Sequence, residues 1–108
     1  MLATIFIFLK TMNQQINLTS TTKFVINDSV FHSNVEQEKV ILSLKSGAYY
    51  ALKGVGSAIW DLLESKSFEE IRDALVEKYE VGSEQCEQDL REIIHDFINA
   101  DLISISNS

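Results

Sequence analysis

The chain has 108 residues, of which 45% are hydrophobic and 23% charged, and its 16 acidic against nine basic side chains give a formal net charge of −7. That length suits one domain with a single modest core and leaves no room for two. The acidic balance excludes the basic footprint that displaces counterions from nucleic-acid phosphates, and it equally disfavours docking on anionic lipid.

The first stretch, Leu2 to Leu9, is apolar, but a membrane helix needs roughly 20 such residues. A signal peptide would carry its cation before the apolar run, whereas Lys10 follows it. A polar run follows Met12, and Met12 is itself a candidate start. Residues 1 to 22 are therefore expected to be a flexible or spurious N-terminal extension, and residues 23 to 108 a single domain. Cys86 is the only cysteine, so neither an intrachain disulfide nor a cysteine-based zinc cluster is possible, and a reducing cytoplasm is the expected compartment.

Phe24 to Ile26 reads as a short strand or an extended arm, and Asn27-Asp28-Ser29 as turn chemistry. Val30 to Val35, rich in β-branched and aromatic side chains, predicts the first full strand. Lys39 to Lys45 predicts a second, with Val40, Leu42 and Leu44 on one face and Ile41 and Ser43 on the other. Ser46-Gly47 predicts a two-residue hairpin loop, and Ala48 to Leu52 the returning third strand. Three helices are expected after this antiparallel meander. Val55, Ala58, Ile59 and Leu62 set the stripe of the first. Ser67 with Glu70 forms a capping box for the second, which ends at Tyr79. Ser83 is the expected cap of the third, whose wide apolar stripe runs through Cys86, Leu90, Ile93, Ile94, Phe97 and Ile98 to about Ala100. Leu102 to Ile105 is a short strand or a tail. The fold class is thus α+β, a three-stranded meander followed by three helices in a winged-helix-like arrangement.

Motifs for catalysis are missing. His32 and His95 lie far apart without a carboxylate at ligand spacing, and no nucleophile elbow, phosphate-binding loop or dinucleotide fingerprint occurs. No enzyme activity, metal or cofactor is expected. Cys86, at helical spacing among apolar neighbours, is expected in the core rather than as a reactive thiol.

The run Leu42-Ser43-Leu44-Lys45-Ser46-Gly47-Ala48-Tyr49-Tyr50-Ala51-Leu52, followed by Val55-Gly56-Ser57-Ala58-Ile59-Trp60, resembles the PqqD family. The family pattern there is an aliphatic strand, a turn glycine, an aromatic strand ending in Leu, and a V-G-x-x-I-W helix opening. Phe68-Glu69-Glu70-Ile71, Tyr79-Glu80-Val81, Asp89-Leu90 and Phe97 to Leu102 extend the likeness, which covers about Val30 to Ile103. It departs at Lys53, where the family usually has Asn or Asp, so Gly54 is expected to take over as helix cap.

The resemblance implies a recognition element for ribosomally made, post-translationally modified peptides. Such an element binds the leader segment of a precursor peptide and presents it to a separate enzyme, either a radical SAM enzyme or the leader peptidase of a lasso-peptide system. A third strand at the sheet edge suits this, because an extended peptide can pair with its open N–H and C=O groups, and a pocket between that strand and the last helix would select side chains. The expected peptide-binding residues are Tyr49, Tyr50, Ala51 and Leu52 on the strand, with Leu90, Arg91, Ile94 and Ile98 on the helix. Tyr50, Leu52 and Leu90 also fit a core role, which leaves Tyr49, Arg91 and Ile94 as the sharper groove candidates. Two other classes compete. A winged-helix DNA-binding regulator would share the fold, but the last helix sets Arg91 against Glu84, Glu87, Asp89, Glu92 and Asp96. An acyl or peptidyl carrier would use Ser29 in Asp28-Ser29-Val30, which precedes a strand-like run instead of opening a helix.

Overall fold

Val30 to Leu52 forms the antiparallel meander that its alternation predicts. The computed structural model describes residues 18–106, so the expectation of a separate start at Met12 lies outside the described residues. The strands are β1 (Lys23–Ile26), β2 (Val30–Val35), β3 (Glu38–Ser43) and β4 (Tyr49–Leu52). The helices α1 (Gly54–Leu62), α2 (Phe68–Tyr79) and α3 (Ser83–Asn99) follow, and a last strand, β5 (Ile103–Ser106), closes the chain. The main sheet has the order β2-β3-β4. Its register sets His32 opposite Ile41 and Ile41 opposite Tyr50, with Lys39 opposite Leu52.

Opposed residues share a face of the sheet. The helices cover the face that carries Val30, Lys39, Ile41, Ser43 and Leu52, all buried. On β3 this is the less apolar of the two faces, since Val40 and Leu42 point the other way. Lys39 is tolerated there because its amine meets the Asp61 carboxylate of α1 at 2.6 Å, at a rim where that carboxylate remains half in solvent.

Three expectations shift. The β3–β4 connection is a four-residue loop, not a two-residue one: Ser43 N–H donates to Ala48 O at 2.9 Å, and Gly47 N–H closes back onto Ser43 O at 2.8 Å. The left-handed Gly47, φ 79°, turns the chain there. Lys53 and Gly82, rather than Gly54 and Ser83, occupy the cap positions of α1 and α3, both without a side-chain cap. Residues 18–22, expected in the extension, pack into the domain: Leu18 is buried, while Thr22 O and Ser20 O accept from the N–H groups of Phe68 and Glu69 at 2.8 and 3.0 Å. The two undecided segments resolve each other, because β1 pairs antiparallel with β5, Ile26 opposite Ile103.

The capping box of α2 forms, with Glu70 N–H donating to Ser67 Oγ and Ser67 N–H donating to Glu70 Oε1. The C-terminus of α3 closes in a Schellman motif, Leu102 N–H to Phe97 O at 3.0 Å and Asp101 N–H to Ile98 O at 2.9 Å, with Asp101 left-handed at φ 65°. The core lies between sheet and helices around Trp60, whose ring meets Phe97 edge-on at 5.4 Å and His32 at 5.8 Å. Glu87 ties α2 to α3, accepting from Arg72 at 3.0 Å and Arg91 at 3.1 Å.

Ser67→Ala removes the cap of α2 and should lower unfolding free energy by about 1 kcal/mol, read as a drop in the urea midpoint at unchanged slope. The Ser67 N–H holds the Glu70 carboxyl below its ordinary range, and hydrogen bonds from Arg91 and then Arg72 do the same for Glu87. A carboxylate with a lower folded than unfolded pKa contributes stability above the unfolded value, and that contribution disappears as pH falls toward the folded one. The urea midpoint should therefore fall through mild acid, and the pair Glu70→Gln and Glu87→Gln should flatten that limb. Gly54 sits at φ 55° with open space around a would-be Cβ, so Gly54→Ala should cost about 1 kcal/mol from backbone strain alone, measured in the same titration.

Candidate functional site

The hydrogen-bond alternation of an antiparallel pair determines which backbone groups of β4 are spoken for. Ser43 N–H points to Ala48, so by the register the paired positions continue at Ile41–Tyr50 and Lys39–Leu52. Tyr49 and Ala51 between them turn their N–H and C=O groups away from β3, toward the open side of the sheet. β4 is an edge strand of this sheet, and these groups form a short unpaired ladder.

The side chains divide the other way. Tyr50 and Leu52 point to the covered face with Ile41, whereas Tyr49 and Ala51 are exposed on the opposite face. Beside Tyr50 and Leu52 a narrow cleft with only about 10 Å³ of free space lies between β4 and the C-terminal end of α3, lined by Ile41, Tyr50, Leu52, Asp96, Phe97, Ala100 and Leu102. The lining is apolar except for Asp96 and the tyrosine hydroxyl. The Schellman closure builds one wall by folding Leu102 back beside Phe97, and the small Ala100 leaves the gap between helix and strand unfilled.

Polar contacts fix the rim. Lys45, in the β3–β4 loop, donates to Asp101 Oδ2 at 2.9 Å, and that hydrogen bond, helped by the carboxylate charge, raises the lysine above its ordinary range. Asn27 Nδ2 donates to Asp101 O at 2.7 Å, and Ser104 Oγ to Asn27 Oδ1 at 2.6 Å. The turn that ends α3 is thus pinned to the loop before β4 and to the β1–β2 connection.

Of the residues expected from the sequence, Tyr50 and Leu52 line the cleft and Tyr49 and Ala51 lie on the open edge. The four helix positions lie elsewhere. Leu90 and Ile94 are fully buried, and Ile98 is half-buried against the core. Arg91 reaches away from the strand: it donates to Leu18 O at 2.9 Å, pairs with Glu87 and stacks over the Phe68 ring at 4.9 Å. The cleft instead uses Asp96, Phe97 and Ala100: Phe97 lies two turns beyond Leu90 on the same side of α3, and about a quarter-turn or more around from Arg91 and Ile98. The signal for them was present in the i, i+3 pair Phe97 and Ala100 beside the chain reversal at Asp101.

Nothing in the site resembles a reaction centre. Cys86 is buried between α3 and α2, its Sγ donating to Arg72 O at 3.9 Å, and burial pushes its thiol pKa up, away from the reactive thiolate. Among the described residues no group of three or more His, Cys, Asp or Glu side chains is placed to hold a metal ion, and no helix is long and apolar enough to cross a membrane.

TbiB1, solved in complex with the TbiA(β) leader peptide, is 38% identical with a TM-score of 0.71, over 77% of this chain and 98% of that one. A lasso peptide synthetase B1 complexed with the leader peptide shares the fold at 20% identity and a TM-score of 0.70, over 76% of this chain and 98% of that one. No curated protein matches. The family model for coenzyme PQQ synthesis protein D matches residues 38–103, more than half of the chain, and the chain belongs to the PqqD family.

Proposed function

We propose that this chain binds the leader segment of a ribosomally synthesised precursor peptide as a fourth strand on the β4 edge and presents it to a separate modifying or processing enzyme. The observation that carries the reading is the unpaired Tyr49 and Ala51 backbone lying directly beside an apolar cleft. Main-chain pairing there supplies affinity that any extended peptide can use, and the cleft adds selection, since one side chain of an added strand points into it. The leader-peptide complex of the 38% identical TbiB1 supports the same reading. In this reading Tyr49 and Ala51 pair with the peptide backbone, while Tyr50, Leu52, Phe97, Ala100 and Leu102 receive an apolar side chain and Asp96 borders it. Leu90, Arg91, Ile94 and Ile98 act from beneath or behind, by holding α3 and Leu18 in place.

The magnitudes are adequate for recognition. Each edge hydrogen bond contributes a net 0.5–1.5 kcal/mol or so, and each CH₂ group of the peptide that is buried at the mouth of the cleft about 0.8 kcal/mol. Together they bring a short peptide to roughly micromolar affinity once ordering costs are subtracted. The chain has a recognition role rather than a catalytic one, its partner being a radical SAM enzyme or a leader peptidase of the lasso-peptide type, and it works in the reducing cytoplasm.

Titration with the leader of a precursor encoded beside this gene should give micromolar or tighter binding, with amide shifts concentrated in β4. Unmoved β4 amides at saturating peptide would overturn the proposal. Ala51→Pro keeps the β3–β4 ladder, removes an outward N–H and should fold normally, yet weaken the peptide at least tenfold. Ala100→Leu fills the cleft without touching the edge backbone. It should weaken an apolar-anchored leader about tenfold, while the overpacked site lowers the urea midpoint by the equivalent of about 1–3 kcal/mol.

A further inference from the structure

The cleft beside β4 holds only about 10 Å³ of free space, room for about one water molecule. A leader side chain is buried there only if the two walls part. One wall is β4, with Tyr50 and Leu52; the other is the end of α3, with Phe97, Ala100 and Leu102. Whatever ties one wall to the other is what an entering side chain must overcome.

Most contacts near the cleft hold each wall to its own surroundings. β4 is paired with β3 along its whole length, from Leu42 opposite Tyr49 to Lys39 opposite Leu52. On the other side, Asn27 N–H donates to Leu102 O at 3.0 Å and Asn27 Nδ2 to Asp101 O at 2.7 Å, and the chain continues into the β5–β1 pairing. The contact between Lys45 and Asp101 is different, because it crosses the gap. Lys45 Nζ, on the loop leading into β4, meets Asp101 Oδ2 at 2.9 Å, and Asp101 stands between the wall residues Ala100 and Leu102. The side chains are 70% and 55% exposed, so both are readily rehydrated when they separate. An exposed ion pair of this kind shifts an equilibrium by a factor of up to about five.

We propose that the Lys45–Asp101 pair is a latch across the end of the cleft, closed as the structure shows it and released when a bulky apolar side chain of the leader enters. This deepens the leader-binding reading above and rests on it. The latch makes Lys45 and Asp101 specificity-determining residues that act without touching the peptide. A bulky apolar anchor gains enough burial to part the walls. A small one leaves the latch shut and relies on main-chain pairing alone. Since the open form is a fraction of the unliganded population, the latch weakens apparent affinity for a bulky-anchored leader by that fraction and leaves a small-anchored one unchanged.

The test uses the full chain and the variants Lys45→Met, Asp101→Asn and the two combined. Asparagine tolerates the left-handed φ of 65° at position 101 and keeps the backbone carbonyl that Asn27 holds. Two probes are followed by fluorescence anisotropy: the leader of the precursor encoded beside this gene, and the single-alanine version of it that loses most affinity on the parent. Each single variant should bind the unaltered leader two- to fivefold more tightly than the parent, roughly the weight of one exposed pair. The combined variant should bind no more tightly than the better single one, and the alanine leader should bind equally to all of these proteins. The gain should shrink at about 0.5 M salt, where the parent's latch is screened. A gain below about twofold would overturn the inference, as would weaker binding: by Lys45→Met alone if the lysine meets the peptide directly, by both if the pair merely braces the site. An equal gain for the alanine leader would also overturn it, since that reports general loosening. A parent that binds no leader removes the reading beneath the inference, and the parent titration reports that failure before any variant is compared.

Discussion

The packing of Trp60 holds sheet and helices together. A ring of this size buries roughly 150–250 Å², a gain of about 4–6 kcal/mol at the usual area coefficient. Among the described residues its indole N–H finds no acceptor, a deficit of about 1–3 kcal/mol, so the apolar term wins and the ring stays inside. To place it there, the chain must reverse within a few residues of β4. Gly54 supplies a left-handed conformation at the first helical residue, and the buried Gly56 lies beside Leu52 of β4, where a methyl group would make ordinary contact at 3.6 Å from Leu52 Cβ. The reversal lies at Gly54, one residue before the V-G-x-x-I-W pattern that carries Trp60 into the core.

The same packing shapes the cleft. Phe97 is fixed edge-on against Trp60 and simultaneously forms a wall of the cleft, so the distance between α3 and β4 depends on how Trp60 seats. Ala100 then comes opposite the strand, too small to fill the space, and the left-handed Asp101 folds Leu102 back as the end wall. Phe97 is thus packed tightly against Trp60 on one side and borders the narrow cleft on the other.

Much of the fold was legible in the sequence because its signals are local. Alternation gave the three strands of the meander, the Ser67 and Glu70 pair gave the start of α2, and helical periodicity gave all three helices. What was not legible depends on tertiary placement. Leu18 looks like part of a polar tail until Arg91 and α2 hold it, and the β1–β5 pairing joins segments at opposite ends of the chain. The strand residues beside the candidate cleft, Tyr50 and Leu52, were legible from the edge argument. The helix residues beside it, Asp96, Phe97 and Ala100, were not, because α3 has a wide apolar stripe and periodicity cannot say which margin of a wide stripe faces the sheet. Choosing Arg91, Ile94 and Ile98 selected the margin toward Leu18 and Phe68; the cleft lies on the Phe97 and Ala100 margin.

An edge that accepts a peptide is also exposed to accepting another copy of the same protein, and the structure limits this through length and charge. β4 offers only four residues, and left-handed glycines, Gly47 and Gly54, turn the backbone away shortly beyond each end. Lys45 and Lys53 bracket the strand but are neutralised by Asp101 and Glu38, so they do not attract a second, strongly acidic chain. Two copies that met edge to edge would bring a charge of −7 each into contact for the sake of two outward-facing residues per strand. A flexible leader meets no such repulsion unless it is itself acidic, and it gains the cleft as well. Selectivity for a peptide over self-association therefore needs no special sequence at the edge: it follows from a short strand, an adjacent pocket and the charge of the whole domain.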